Sequence, residues 1–263
     1  KDSLLSSFRS DKINSEVMKK SGLFIDTQRG YIDRFSGRIM FSIYNTSGNI
    51  IAFAGRIFQM ENSAKYINSP ETSIYRKSKI LYGIHETKHF IRERKSAIIV
   101  EGYMDFLQLY QANIKNIVAV SGTAFTPDHA LQLKRFCKTI YLAYDGDSAG
   151  KTAAIKAGYV LLRAGLSAFI VNIPEGIDPD DWVKKDGPAL FLDAVKNSSK
   201  LLSFHFNNYA EDLQSTSGKT SFVNDVLVEL SLITDPIVRE LYCKELSEII
   251  GISHESIFQS INK

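Results

Sequence analysis

The sequence predicts an α/β protein with a mostly parallel sheet flanked by helices, and two patterns support that prediction. Short apolar runs at 97–100, 117–120, 139–144 and 168–173 have the composition of strands buried on both faces. Stretches with helical spacing of apolar residues separate these runs. Because strands and helices alternate, we expect right-handed crossover connections between parallel strands.

Different patterns flank this central region. The first 28 or so residues have amphipathic helical spacing, with a helix end predicted at Gly22, and two strand-like runs at 38–44 and 50–54 then enclose a Gly-containing turn typical of a hairpin. Helical stretches separated by short polar linkers occupy the C-terminal part. We therefore predict an N-terminal α+β basic subdomain at 1–94, a central α/β subdomain at 95–197 and a helical bundle at 198–263.

Acidic residues follow three of the predicted strands. Glu101 comes directly after the first strand, Asp145 and Asp147 follow the third, and Asp178 and Asp180 follow the fourth. The carboxyl ends of parallel strands meet at one edge of the sheet, where open α/β sheets bind ligands. Carboxylates gathered there would repel one another unless a divalent cation bound them. Any single Asp could instead cap a helix, but acids at three strand exits favour a shared metal site.

Composition and charge indicate the kind of partner and the cellular compartment that suit this protein. Residues 1–95 contain 17 basic and 9 acidic residues, a net charge of +8, whereas the remainder carries −5. A basic front half beside an acidic centre suits a polyanionic partner, although uneven charge is also common in soluble proteins. Cys137 and Cys243 lie too far apart in sequence to form a zinc motif and fit a reducing compartment. No signal-peptide pattern or membrane-length apolar run is present, so we expect a cytoplasmic protein.

A basic and aromatic segment at 62–83 is the candidate nucleic-acid surface. Lys65, Lys77 and Lys79 are interleaved here with tyrosines such as Tyr66. Cationic side chains contact phosphates, and aromatic rings stack on bases. An ordinary solvated loop is the alternative interpretation of this composition.

Three motifs together resemble those of a known family. Glu101-Gly102-Tyr103-Met104-Asp105, Asp145-Gly146-Asp147-Ser148-Ala149-Gly150 and Asp178-Pro179-Asp180 resemble the acidic motifs of a TOPRIM domain. The first motif and its surroundings resemble bacterial DnaG-type primases from about residue 4 to about residue 185. The segments 34–41, 54–56, 65–72, 81–83 and 121–124 carry the rest of this resemblance. Ser42, Ala52 and Ala54 depart from the usual Pro and Gly of the family without changing a charge.

This resemblance implies a TOPRIM-type sheet and an enzymatic activity. The activity is template-directed synthesis of short RNA primers on single-stranded DNA, by metal-dependent nucleotidyl transfer from NTPs. The implied cofactor is Mg²⁺ or Mn²⁺, without zinc in this chain. Implied catalytic residues and principal metal ligands are Glu101, Asp145 and Asp147, and Asp178, Asp180 and Asp105 complete the acidic set. Implied contacts with NTPs and nucleic acid are Arg38, Arg56, Lys65, Tyr66, Asn68, Lys77 and Lys79.

The resemblance also implies partners and leaves alternatives open. The partners are a single-stranded DNA template, NTPs, the RNA primer and a guanosine alarmone competing at the NTP site, at the replication fork. Primases of this family also carry a zinc-binding domain and a helicase-binding domain, and we expect both to lie outside this chain. A TOPRIM nuclease or topoisomerase and a non-catalytic nucleotide-binding module are the alternatives. The complete acidic set argues against a module that only binds.

Overall fold

The computed structural model describes residues 3–58, 64–210 and 212–261. The chain divides into two compact units, Lys1–Glu86 and Thr87–Lys263. Our finer division into three parts remains a prediction. Two predicted features extend beyond the described residues, because the basic segment begins at Asn62 and the last helix was expected to end at Asn262.

The first unit begins with a small subassembly of helices and a hairpin. Helices α1 (Ser3–Ser10) and α2 (Ser15–Ser21) precede the antiparallel strands β1 (Phe24–Thr27) and β2 (Gly30–Asp33). Leu5, Met18 and Phe24 form its core. The left-handed Gly22 (φ 71°) ends α2, which confirms the predicted helix end, whereas the sequence pattern did not predict the hairpin that follows.

A three-stranded antiparallel sheet completes the first unit. Its strands are β3 (Arg38–Tyr44), β4 (Ile50–Ile57) and β5 (Tyr66–Asn68), in that spatial order. The β3–β4 hairpin confirms the prediction from the two apolar runs. A 3₁₀ turn at Lys77–Lys79 follows, and helix α3 (Ile84–Arg94) leads into the next unit.

The second unit is built on a five-stranded sheet with the order β10-β9-β8-β6-β7. Strands β6 to β9 are parallel, and β10 is antiparallel to β9. This arrangement confirms the predicted mostly parallel sheet and makes the acid-bearing strands β6, β8 and β9 consecutive neighbours. The strands are β6 (Ser96–Val100), β7 (Ile117–Ala119), β8 (Thr139–Leu142), β9 (Ser167–Ile170) and β10 (Ser199–Lys200).

Helices cover the sheet and bury its apolar side chains. Ile98, Ile99, Ile117 and Ile140 are at most 2% exposed, as expected for a central parallel sheet. Thr126 caps one of the helices by accepting a hydrogen bond from the His129 N–H. The helices are α4 (Tyr103–Gln111), α5 (Pro127–Lys134), α6 (Ser148–Arg163), α7 (Pro179–Asp186) and α8 (Pro188–Lys196).

The C-terminal part of the second unit is helical, as predicted. Helices α9 (Leu201–Asn207), α10 (Thr216–Ser231), α11 (Pro236–Ile250) and α12 (His254–Ile261) form it. The fully buried Phe222, Leu230 and Leu246 contribute to its core. Arg163 of α6 and Glu229 of α10 form an ion pair at 2.7 Å that ties this part to the sheet layer. Among the residues described, no helix combines the length and apolarity needed to cross a bilayer.

Candidate metal centre and nucleic-acid interface

Glu101 connects the ends of two neighbouring strands. It directly follows β6, and its Oε1 accepts a hydrogen bond of 3.3 Å from the backbone N–H of Asp145, which lies just beyond β8. Burial raises the pKa of the half-buried Glu101, the Asp145 N–H opposes that shift, and the charges of Asp105 and Asp147 add to it. The ends of β6 and β8 therefore meet at one carboxylate.

Asp145 interacts electrostatically with three other acidic residues. Burial raises its pKa to about 6, and the charges of Glu101, Asp178 and Asp147 contribute in that order. These residues follow three different strands, so the structure brings acids from all three exits into one electrostatic cluster. A carboxyl group that resists ionisation in this way is typical of functional sites.

Two of the acids also cap helices. Asp147 is the N-cap of α6 and accepts a hydrogen bond of 2.7 Å from Gly150 N–H, and Asp178 caps α7 with a bond of 2.6 Å from Asp181 N–H. Each cap occupies only Oδ1, so the second oxygen is not used by the cap. Helix capping, the alternative to metal binding, therefore accounts for part of the role of Asp147 and Asp178, but it does not account for Glu101 or Asp145.

The glycine that closes the second acidic motif is required by close packing. A Cβ atom at Gly150 would lie 2.2 Å from the carbonyl oxygen of Asp145, which no side chain can tolerate. Helix α6 can therefore begin directly against the Asp145 backbone. This contact explains the spacing of the motif from Asp145 to Gly150.

Asp181, directly after the third acidic motif, is a candidate ligand that the sequence pattern did not indicate. Carboxylate oxygens of Asp178, Asp180 and Asp181 lie within 4.8 Å of one another, close enough to hold one divalent cation. In the described part of the chain, Glu101, Asp145 and Asp147 do not form a set with this spacing. Lys184, one turn after Asp180, lies 2.7 Å from its carboxylate and 3.9 Å from that of Asp181.

Asp105 is buried at the junction between the first and third motifs. Only 7% of the surface of this residue is exposed to solvent. Its Oδ2 accepts a hydrogen bond of 2.9 Å from Gly102 N–H, and its Oδ1 accepts one of 3.3 Å from Asp180 N–H. Burial raises its pKa to about 6, the Gly102 bond opposes the shift, and the charges of Asp145 and Asp178 add to it.

The predicted basic and polar contacts of the first unit are divided between two faces of its sheet. Arg56 is paired with Tyr66 across β4 and β5, and Asn68 follows two residues later, so these three side chains share one face. Arg56 donates to the Tyr66 hydroxyl at 3.2 Å. Arg38 is paired with Ile57 and lies on the opposite face, where it donates to the carbonyls of Gly55 and Ala64.

The three predicted lysines lie outside the strands. Lys65 is exposed and directly precedes β5. Lys77 and Lys79 form the two ends of the 3₁₀ turn, and the Lys77 backbone N–H donates to the Glu71 carboxylate at 2.9 Å. Their placement in loops fits side chains that contact a flexible partner.

Three family models match this chain: the N-terminal domain of the DNA primase catalytic core over residues 1–88, a Toprim-like domain over 98–183, and the DnaB-helicase binding domain of primase over 206–255. A DNA primase of Listeria monocytogenes is 35% identical over 248 residues, which cover 92% of this chain and 40% of that protein.

Solved structures agree with this result. A DNA primase domain from Pseudomonas aeruginosa is 34% identical with a TM-score of 0.85, and the match covers 94% of this chain and 79% of that one. A DnaG primase catalytic domain bound to single-stranded DNA is 32% identical with a TM-score of 0.85, covering 97% and 82% of the two chains. The chain belongs to the DnaG primase family. This membership confirms the family and the TOPRIM-type fold predicted from the three acidic motifs.

The matches to known proteins cover only part of a DnaG primase, and they correct one expectation about its domains. The chain spans 40% of the length of the Listeria relative. We expected helicase binding to lie outside this chain, but the helicase-binding family model matches residues 206–255. That expectation was wrong. Helices α9 to α12 have only the apolar spacing of a bundle, and such spacing does not indicate a partner.

Proposed function

We propose that this chain is the catalytic core of a DNA primase, which synthesises short RNA primers on a single-stranded DNA template. The observation that carries the proposal is the electrostatic cluster formed by acids from three consecutive parallel strands. Without bound cations the carboxylates of such a cluster repel one another, and with bound cations they can hold the metal that nucleotidyl transfer requires. Membership of the DnaG family supplies the reaction, which is transfer of a nucleotide from an NTP to a 3′-hydroxyl with loss of pyrophosphate.

The carboxylates fit Mg²⁺ or Mn²⁺, because these hard cations prefer oxygen ligands. When bound, the cation would lower the pKa of the attacking hydroxyl and offset charge on the leaving pyrophosphate. We assign Glu101, Asp145 and Asp147 as principal ligands, and Asp178 and Asp180, with Asp181, as a second set. Since Oε1 of Glu101 already accepts the Asp145 N–H, Oε2 is the oxygen available for a cation or for the proton of the hydroxyl.

A direct assay tests the proposed reaction. We expect the chain to extend RNA on single-stranded DNA when it is supplied with labelled NTPs and Mn²⁺ or Mg²⁺, and a chelator should stop the reaction. The same incubation with labelled DNA distinguishes the alternatives, since a TOPRIM nuclease or topoisomerase would cut the DNA strand. DNA cleavage without RNA synthesis would overturn the proposal. Adding a guanosine alarmone to this assay tests competition at the NTP site.

We further propose that the first unit contacts the template and the NTP. Arg56, Tyr66 and Asn68, which share a sheet face, are assigned to phosphate, base and ribose, and Lys65, Lys77 and Lys79 to phosphates. Arg38 is assigned to a phosphate as well, and its bonds to two backbone carbonyls leave part of its guanidinium for such a contact.

Binding of single-stranded DNA is expected to weaken steeply as salt concentration rises, because each phosphate contact releases a counterion. The double variant Lys77→Gln/Lys79→Gln should reduce the slope of log K against log salt by about 1.4, at roughly 0.7 per lost contact. Fluorescence anisotropy of a labelled oligonucleotide measures the slope. Lys19→Gln, an exposed lysine of α2 in the same unit, is the matched control. An unchanged slope in the double variant would remove both lysines from the interface.

The family match over 206–255 leads us to propose a contact with the replicative helicase. Val228 and Leu232 at the end of α10 are 64% and 53% exposed, and Ile237 and Leu241 at the start of α11 are 71% and 61% exposed. Each pair is spaced by four residues and so lies on one helical face. Large apolar side chains exposed next to one connection are typical of a protein-binding surface.

The variant Leu232→Ser/Leu241→Ser is expected to weaken binding to a purified DnaB-type helicase by at least about tenfold. Each buried leucine contributes about 1.5–3 kcal/mol, and about 1.4 kcal/mol corresponds to a factor of ten. Isothermal titration calorimetry provides the measurement. Leu190→Ser is the control, since Leu190 of α8 is 54% exposed and lies outside the matched segment. Equal affinity of wild type and double variant would exclude these residues as the contact.

A further inference from the structure

Asp105 uses both of its carboxylate oxygens to hold backbone N–H groups from two separate loops. Oδ2 accepts from Gly102, in the loop that carries Glu101, and Oδ1 accepts from Asp180, in the first turn of α7. These two positions belong to the first and third acidic motifs and lie 78 residues apart in sequence. One side chain therefore bridges the two segments that deliver acids to the proposed metal site.

Helix capping explains only one of the two bonds. An acidic residue at the third helical position commonly accepts from the N-cap N–H, and Asp105 does so for Gly102 at the start of α4. The bond from Asp180 lies outside that motif, because Asp180 belongs to another helix. The residue is also buried among other carboxylates, where an acid used only as a cap would gain nothing over one at the surface.

Gly102 provides independent evidence that this contact is close. Its backbone has φ −112° and ψ 166°, an extended conformation that any residue adopts. A Cβ atom at this position would nevertheless lie 2.9 Å from Oδ2 of Asp105. A side chain at this position would therefore have to displace the Asp105 carboxylate, although the backbone conformation itself would accept it.

We propose that Asp105 is a positioning residue, which clamps the loop after β6 to the first turn of α7 and so keeps Glu101 and Asp180 at one site. This assignment replaces a direct metal contact, the role that the sequence motif suggests for Asp105. Lys184 extends the same connection, because its ammonium group lies 2.7 Å from the Asp180 carboxylate. The role in primer synthesis rests on the proposed function, whereas the clamp itself can be tested in metal-free protein.

Hydrogen exchange in the metal-free protein distinguishes a clamp from a ligand. Asp105→Asn keeps one acceptor oxygen and turns the other into an NH₂ donor, so one of the two backbone bonds is lost. We expect the amide protons of Gly102 or Asp180 to exchange at least about tenfold faster in this variant, measured residue by residue by NMR, because the lost hydrogen bond to the charged carboxylate protected one of these amides from exchange. Unchanged exchange at both amides would overturn the clamp, because a residue that only binds metal has no effect before metal is added.

Cation binding supplies the second measurement. Gly102→Ala keeps every carboxylate and displaces only the Asp105 contact, and it should weaken Mn²⁺ binding by about 10–100-fold, as Asp105→Asn should. Electron paramagnetic resonance of free Mn²⁺ gives the affinity. Asp186→Asn removes an exposed aspartate from α7 and is the matched control for charge. If Gly102→Ala binds Mn²⁺ as tightly as wild type while Asp105→Asn does not, Asp105 is a ligand and the proposal fails.

Discussion

The Asp145→Ala variant is expected to lose primer synthesis by more than about a hundredfold, since even residues behind the metal ligands typically contribute factors of 10–100. Asp145 lies where the charges of Glu101, Asp178 and Asp147 converge. Removing its carboxylate would take away a principal ligand of the proposed cation and leave the site with too little charge to bind it. Incorporation of labelled NTPs on single-stranded DNA at saturating Mn²⁺ provides the measurement.

The fold should survive this change, because the Asp145 side chain is not fully buried and caps no helix. Circular dichroism should therefore match that of wild type. Asp186→Ala, an exposed aspartate at the end of α7, serves as the control and should retain full synthesis. Near-normal synthesis by Asp145→Ala in folded protein would contradict the metal assignment and leave the acidic cluster without its proposed role.

The acidic site could be predicted from sequence because local patterns encode it. A short apolar run followed by an acid gives both the strand and the exit position, as at β6 and Glu101. Parallel strand order then brings the exits to one edge, and the structure places β6, β8 and β9 side by side. The sequence could not assign roles within the cluster, since the bond that Asp105 accepts from Asp180 joins residues 75 positions apart.

Other features had no local signal. The strands of the β1–β2 hairpin have only four residues each, too few for the sequence pattern to identify a hairpin after the predicted helix end at Gly22. The sequence pattern did not indicate Asp181 as a ligand, whereas in the structure Asp178 caps the helix and Asp181 joins the carboxylate set. The faces of Arg38 and Arg56 depend on the register between β3 and β4, which composition does not reveal. Such features depend on tertiary pairing and therefore require coordinates.

The Asp145→Asn variant is expected to be more stable than wild type in the absence of metal at pH 7.5. Burial and neighbouring charges raise the pKa of Asp145 from 3.8 to about 6 in the folded protein. A raised carboxyl pKa means that the folded state binds the proton more tightly, so stability falls as pH rises from about 4 to about 6 and stays low above. Allowing for solvent screening of this partly exposed group, the gain should be roughly 1–2 kcal/mol.

Urea unfolding in EDTA at pH 7.5 and pH 4.5 measures this effect. The advantage of Asp145→Asn should shrink at pH 4.5, where the wild-type carboxyl is protonated. Saturating Mn²⁺ should reverse the order at pH 7.5, because binding at a hundred times Kd adds about 2.7 kcal/mol to wild type. A variant less stable than wild type in EDTA at pH 7.5 would mean that Asp145 is already neutralised by the protein itself. In that case the cluster would be stable without a cation. The expected gain in stability of Asp145→Asn would instead show that repulsion between the carboxylates destabilises the metal-free protein.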